Sequence, residues 1–287
     1  MTTLDAPAAL ATGSNQALPS ALRVGAARTA LELKTFFREK DAVVFVFAFP
    51  VIMLGIFATV FGGDGDASFG DGPGVPFPQY FLPGMLAAGI MLSSFQSLAI
   101  SIAIERDDGT LKRLRGTPMP PLSYFLGKIG LVLLTSLAQI ALLLAMAALF
   151  FGVPLPTDPA RWLTFAWIFT LGAAAGTVLG IGFSSLPRSG RSAPAVVTPV
   201  VLVLQFISGV FFAYSDLPTW MQRVAEVFPL KWMAQGMRSV FLPPGLEADE
   251  VSGSWQHGPT VLVLAAWLLF GLVLCIRGFR WSRRDAG

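Results

Sequence analysis

Residues 122–151 read LSYFLGKIGLVLLTSLAQIALLLAMAALFF, and this stretch carries a single charged side chain, Lys128. A helix needs about 20 apolar residues to cross the hydrocarbon core of a bilayer, and this run is longer than that. The whole chain is 54% hydrophobic and only 13% charged, whereas a soluble domain carries about 25% charged residues. The sequence therefore predicts an integral membrane protein in which this run is one crossing.

Five further apolar runs flank this stretch. They cover residues 42–61, 79–104, 161–186, 195–213 and 258–276. Together the runs predict an all-α integral membrane protein with six transmembrane helices in one domain, residues 21–280. Residues 1–20 are rich in Ala, Pro, Ser and Thr and predict a disordered cytoplasmic tail, and residues 281–287 predict a second, short tail.

Basic residues lie mostly in four segments at the edges of the runs. These are residues 23–40, 106–128, 188–191 and 277–284, whereas the remaining connections hold only Arg161, Arg223, Lys231 and Arg238. The positive-inside rule then places both termini in the cytoplasm of a multi-pass cell-membrane protein, which requires an even number of crossings. Topology and anionic lipid explain the pI near 9.3, so no nucleic-acid partner is expected.

Two segments mix apolar and charged residues in the way of helices at a bilayer surface. Residues 21–40 predict an N-terminal interfacial helix, because one side gathers Leu22, Ala26, Leu33, Phe36 and Phe37. Residues 214–242 alternate Trp and Met with charged side chains and contain too many prolines for a simple crossing. They predict two short interfacial or re-entrant helices on the external side, before the last crossing.

Small and polar residues inside the runs indicate helix packing. In the fourth run a small residue recurs every four positions, at Gly172, Gly176 and Gly180, which favours close approach of another helix over a pore lining. The polar residues Gln96, Gln139 and Gln205 are expected to bond between helices. No Asp, Glu, Lys or Arg lies near the centre of a run, which indicates that energy for any transport comes from outside the membrane.

The chain lacks the sequence patterns of common enzymes. It contains no GxxxxGK followed by Ser or Thr, so it does not bind ATP by a P-loop. Its one histidine, His257, rules out an HExxH zinc site, and its one cysteine, Cys275, rules out an intrachain disulfide. No catalytic residue, metal or cofactor is expected in this chain.

The segment 105–128 reads ERDDGTLKRLRGTPMPPLSYFLGK and is the most informative connection. Leu111 and Leu114 give a short apolar edge to a charged element, and Gly109 and Pro118 interrupt the helix on either side. One interpretation is a solvated turn whose charges set the topology. The other is a short cytoplasmic helix that docks into a groove on another protein.

This segment resembles the type-2 ATP-binding-cassette (ABC) permeases, the membrane subunits of drug-resistance, sodium and polysaccharide exporters. The resemblance lies in Glu105, Gly109, Thr110, Leu111, Leu114, Thr117, Pro118, Tyr124, Gly127 and Lys128. A second similarity, to the family's external element, lies in Asp216, Leu217, Pro218, Trp220, Phe228, Pro229, Leu230 and Arg238. The chain departs from the family in that element at Phe228, Lys231 and Trp232.

The resemblance implies a transport subunit and not an enzyme. It implies a second permease copy, identical or related, and a separate nucleotide-binding ATPase that holds ATP and Mg²⁺. The ATPase would contact the cytoplasmic coupling helix through Glu105, Gly109, Thr110, Leu111, Arg113, Leu114, Arg115 and Thr117. Leu111 and Leu114 would fill its groove, Glu105 would bond its donors or cap the turn, and an amphipathic, drug-like or lipid-like substrate would move outward.

Two other classes of protein stay open at this point. A membrane-embedded enzyme or scaffold differs from a permease in that no nucleotide-binding subunit would co-purify with it. An ion-coupled carrier would place ionisable side chains near the bilayer midplane, which the apolar runs do not do.

Overall fold

The computed structural model describes residues 20–61, 68–69 and 74–278, and the predicted tails lie outside these ranges apart from Ser20. The described part is nearly all helical, as predicted. Its only strands are two-residue segments, β1 (Ser68–Phe69) and β2 (Val75–Pro76), paired antiparallel. Its α-helices are α1 Ala21–Arg38, α2 Lys40–Phe61, α3 Phe77–Met91, α4 Leu98–Asp107, α5 Thr110–Arg115, α6 Pro121–Phe151, α7 Pro159–Phe183, α8 Ala193–Ile207, α9 Thr219–Val227, α10 Pro229–Phe241 and α11 His257–Gly278.

Five helical segments in the described ranges are long and apolar enough to cross a bilayer. They are Lys40–Phe61, Phe77–Asp107, Pro121–Phe151, Pro159–Phe183 and His257–Arg277. These segments confirm an integral membrane protein and overlap five of the six predicted runs. The predicted run 161–186 is too long at its end, because the chain leaves the helix at Phe183 and turns through Ser184 and Ser185.

The fifth predicted run, residues 195–213, is not one continuous helix. Its helical part, α8, has 15 residues and ends at Ile207. The reason is Gly209, whose φ of 72° is left-handed, a conformation that commonly ends a helix. At 1.5 Å per residue α8 is about 22 Å long, shorter than the roughly 30 Å hydrocarbon core.

The long segment Phe77–Asp107 lies at the centre of the bundle. Almost every residue of α3 is buried, and α3 continues through a π-helical turn, Leu92–Ser97, into α4. The glycine stripe of α7 packs against this turn. A Cβ at Gly180 would lie 2.9 Å from the carbonyl oxygens of Ser94 and Phe95, so only a glycine permits this approach.

The bundle has two ends that differ in charge. One end holds α1, the end of α4, α5, the start of α6 and the α7–α8 turn, and we call it the basic end. The other end holds the start of α3, the α6–α7 connection, α9 and α10. The predicted N-terminal helix is present as α1, which breaks at Glu39, and the two helices predicted for residues 214–242 are α9 and α10.

Candidate coupling site at the basic end

The predicted docking element is a separate six-residue helix, α5. Gly109, with a φ of 77°, turns the chain sharply after α4, and the Asp108 side chain accepts a hydrogen bond from the Thr110 amide at 2.8 Å. At the other end, the Thr117 hydroxyl donates to the Leu114 carbonyl at 2.7 Å. The sequence thus encodes both boundaries of α5, and the structure places Gly109 and Thr117 at them.

The apolar side of α5 faces the protein's own interior. Leu111 is 0% exposed and packs in a small core with Leu98, Ile102, Tyr124, Val132 and Ile181, and half-buried Leu114 packs against the same core. This corrects the expectation that Leu111 fills a groove on a partner. The exposed surface of α5 is instead basic, formed by Lys112, Arg113 and Arg115.

Glu105 also points inward. One carboxylate oxygen accepts from the Tyr124 hydroxyl at 2.8 Å, and the other pairs with the Lys128 ammonium at 2.5 Å. Glu105 therefore neither caps α5 nor faces a partner as expected, because its carboxylate is bonded within the chain. Its position, four residues before Gly109, makes it the anchor of the helix that leads into α5.

Lys128 connects Glu105 to α1. The ammonium lies 2.9 Å from a Glu32 carboxylate oxygen, and the other Glu32 oxygen lies 2.9 Å from Arg28. Lys128 is 0% exposed, so its charge is supported by the two carboxylates and not by water. The group of Arg28, Glu32, Glu105 and Lys128 contains two cations and two anions, so its net charge is zero. We call this group the ionic joint.

Close helix packing surrounds the ionic joint. A Cβ at Gly25 would lie 2.8 Å from Leu126, and a Cβ at Gly127 or Gly130 would overlap the side chain of Arg28 or Thr29. The Ser123 hydroxyl also donates to the Ala21 carbonyl at 3.1 Å. The first turns of α1 and α6 therefore form one tightly packed pair.

A second set of bonds ties the end of α4 to the α7–α8 turn. Arg106 donates to the Ser184 carbonyl at 2.6 Å and to its hydroxyl at 2.9 Å. Asp107 accepts from the Gly190 amide at 3.0 Å. The end of α4, which leads into α5, is therefore bonded to α1 and α6 through the ionic joint and to the α7–α8 turn through these bonds.

Comparison with known proteins identifies the family. The family model described as ABC-2 type transporter matches residues 27–242, which is most of the chain and includes all four residues of the ionic joint and the whole of α5. The chain belongs to the ABC-2 type transporter family. The resemblance seen in the sequence motifs is confirmed, and the chain is a membrane permease of the ABC transporter class.

Individual relatives of this permease are similarly named. "Inner membrane transport permease YadH" of Escherichia coli K12 is 24% identical over 229 residues, 80% of this chain and 86% of that protein. "ABC transporter G family member 20" of Dictyostelium discoideum is 27% identical over 209 residues, 71% of this chain and 27% of that protein. "Probable multidrug ABC transporter permease YbhR" of Escherichia coli K12 is 22% identical over 170 residues, 59% of this chain and 45% of that protein.

At the opposite end of the permease, Arg238 forms a second buried ion pair. Its Nε lies 2.6 Å from Glu250, and its Nη1 donates to the Gly209 carbonyl at 3.1 Å. Arg238 is 1% exposed, so it fastens the connection before α11 and the end of α8 onto α10. Of the other residues singled out in the external element, Pro229 is buried at the start of α10, Pro218 begins α9 and Trp220 is 63% exposed.

Lys231 lies near this ion pair on α10. Its ammonium donates to the Gln235 side chain at 2.7 Å and stands 3.7 Å from the centre of the Trp232 ring. Burial lowers the pKa of Lys231 to about 8, and nearby Glu250 and Glu226 offset part of that effect.

Metal binding has no support in the described residues. Among them, no group of three His, Cys, Asp or Glu side chains is arranged to hold a metal ion. The buried side chains Glu32, Lys128 and Arg238 are in ion pairs, and the buried Lys231 ammonium bonds the Gln235 side chain.

Proposed function

We propose that this permease is the membrane-spanning subunit of an ATP-driven exporter. In this proposal α2, Phe77–Asp107, α6, α7, α8 and α11 are six crossings of one transmembrane domain, residues 21–280, with α8 as a short crossing. The basic end and both termini lie in the cytoplasm of the cell membrane, which the distribution of Lys and Arg supports.

The observation that carries the proposal is the construction of the basic end. An exposed basic helix, α5, is anchored by Leu111 in the core and joined through Glu105 to a buried charge group. A free surface loop needs none of these anchors. A short helix that receives force from a partner needs all of them, because the force must reach the crossings.

The partner in this proposal is a separate ATPase that holds ATP and Mg²⁺. Its surface would be acidic, to complement Lys112, Arg113 and Arg115, and would contact Gly109, Thr110 and Thr117 at the ends of α5. A second permease copy, identical or related, would complete the pathway across the membrane.

The substrate class follows from the interior. The ionic joint is at one end of the bundle and is neutral overall, and the described interior between the ends is apolar with a few Ser, Thr and Gln side chains. A pathway lined by residues of this kind would suit an amphipathic, drug-like or lipid-like molecule better than an ion. The name of the relative YbhR, a multidrug permease, agrees with this class.

Transport by membranes of known orientation tests the proposal. The permease is produced together with an ABC-type ATPase that co-purifies with it, and uptake of a lipophilic dye into inside-out vesicles is followed with and without ATP. ATP-dependent accumulation inside these vesicles is the expected result. Release of preloaded dye, or accumulation driven by a proton gradient without ATP, would refute export by an ATPase.

A further inference from the structure

The outward face of α1 has a composition that the coupling site does not explain. The inward face of α1 packs on α6, and the large side chains exposed on the outward face are Arg23, Leu31, Lys34, Phe37 and Arg38. At 100° per residue, the three basic side chains share an arc of about 60°, with Phe37 on one side of it and Leu31 on the other. The one carboxylate of α1, Glu32, is buried in the ionic joint, so the outward face carries positive charge alone.

The depth of this face follows from α6. The 31 residues of α6 extend about 46 Å, so they exceed a roughly 30 Å hydrocarbon core by about ten residues. At the far end, Leu149 and Phe150 are 79% and 70% exposed and apolar, which places them in the hydrocarbon. The excess therefore lies at the start of α6, and this is where α1 packs.

We propose that the outward face of α1 is a binding surface for anionic phospholipid headgroups, and that its occupancy stabilises the ionic joint. Arg23, Lys34 and Arg38 would contact headgroup phosphates, while Leu31 and Phe37 would enter the acyl boundary. A soluble protein partner would match the basic arc but not the adjoining apolar side chains of Leu31 and Phe37, which are 51% and 56% exposed. A lipid surface matches both.

The second half of the inference connects this surface to α5 and rests on the proposed function. Glu32 lies on the inward face of α1, and its carboxylate reaches Glu105 of α4 through the Lys128 ammonium. Glu105 is four residues before Gly109, where α5 is about to begin. A lipid-held α1 would therefore fix the position of α5, and anionic lipid would increase the coupling of ATP hydrolysis to transport.

Lipid binding is tested on the purified permease without any ATPase. The triple variant Arg23→Gln, Lys34→Gln, Arg38→Gln is compared with the wild type and with a matched control on α5, Lys112→Gln, Arg113→Gln, Arg115→Gln, which removes the same charge. Native mass spectrometry measures retention of phosphatidylglycerol against phosphatidylcholine, and thermal unfolding is followed with each lipid added.

The expected result is selective. Each basic side chain near an anionic surface strengthens binding about fivefold, so the α1 variant should lose phosphatidylglycerol retention roughly a hundredfold. The α5 control should keep retention within a few-fold and keep the lipid-dependent rise in unfolding temperature. Equal loss of phosphatidylglycerol retention in both variants would mean that net charge alone determines retention, which would refute a specific surface on α1. Wild-type retention in the α1 variant would also refute it.

The coupling half is tested in vesicles of phosphatidylcholine with and without phosphatidylglycerol, with the ATPase present. Wild-type transport should rise with phosphatidylglycerol. Glu32→Gln, which weakens the joint but keeps the basic arc, should retain the lipid and lose the rise. If the α1 triple variant instead releases the ATPase in pure phosphatidylcholine, α1 is a protein-docking face and the inference is wrong. If no ATPase binds the wild type, the proposed function is wrong. The lipid-binding proposal is then still decided separately, by the test on the purified permease.

Discussion

Removal of the Lys128 ammonium should destabilise the ionic joint more than any other single change, because this ammonium pairs with both carboxylates of the joint. In Lys128→Met, Arg28 still pairs with Glu32 at 2.9 Å, so one carboxylate, Glu105, is left without a cation. The Tyr124 hydroxyl still bonds it, at 2.8 Å. Breaking a buried pair in this way costs about 3–5 kcal/mol, and we expect the free energy of unfolding to fall by that amount.

A double-mutant cycle separates the pair from general damage to the packing. Glu105→Gln removes the stranded charge and keeps the side-chain shape, so Lys128→Met combined with Glu105→Gln should be less destabilised than the sum of the single variants. The coupling energy should be about 1–3 kcal/mol, measured by unfolding in mixed micelles. Lys112→Met, on the exposed face of α5, is the matched control and should change stability by less than about 0.5 kcal/mol. Additivity within about 0.5 kcal/mol would refute the ionic joint as a coupled unit.

We expect specific changes in stability from substitutions at three further sites. Leu111→Asp should destabilise the permease itself by several kcal/mol, whereas Leu114→Asp, at a half-buried position, should cost clearly less; equal unfolding temperatures would contradict the burial of Leu111. Gly180→Ala should cost about 1–3 kcal/mol because its Cβ would lie 2.9 Å from two carbonyl oxygens, while Gly55→Ala, with nothing within 4 Å, should be neutral or stabilising in the same assay. Lys231 binds fewer protons in the folded than in the unfolded state between its folded pKa of about 8 and its ordinary value of 10.5, so stability should rise with pH across that window. Lys231→Met should unfold at a higher temperature than the wild type at pH 8, and this difference in unfolding temperature should be smaller at pH 10. A difference that does not change with pH would argue against the lowered pKa of Lys231.

Much of the fold is predictable from the sequence because apolar runs longer than a bilayer core have few alternatives. The two short helices of residues 214–242 were also predictable, since prolines mark the start of both. The end of α8 was not, because Gly209 sits in a run that is apolar on both sides and only its left-handed φ ends the helix.

The position of the coupling site in the chain was predictable from the sequence, but the direction in which its side chains point was not. Sequence motifs located α5, yet they assigned Leu111 and Glu105 to a partner, and both are satisfied within the chain. One signal was available, since Lys128 is an isolated charge in an apolar run and such a charge needs a buried partner. The partner on α1, Glu32, is separated by 96 positions, and no local pattern identifies it.

Contact between α5 and the ATPase is the central claim, and site-specific photo-crosslinking tests it most directly. A photoreactive amino acid replaces Arg113 on the exposed face of α5 or Trp220 at the opposite end, in cells that also produce an ABC-type ATPase that co-purifies with the permease. We predict a covalent permease–ATPase product from position 113 and none from position 220. A product from position 220 alone, or none from 113 while the two proteins still co-purify, would contradict the account.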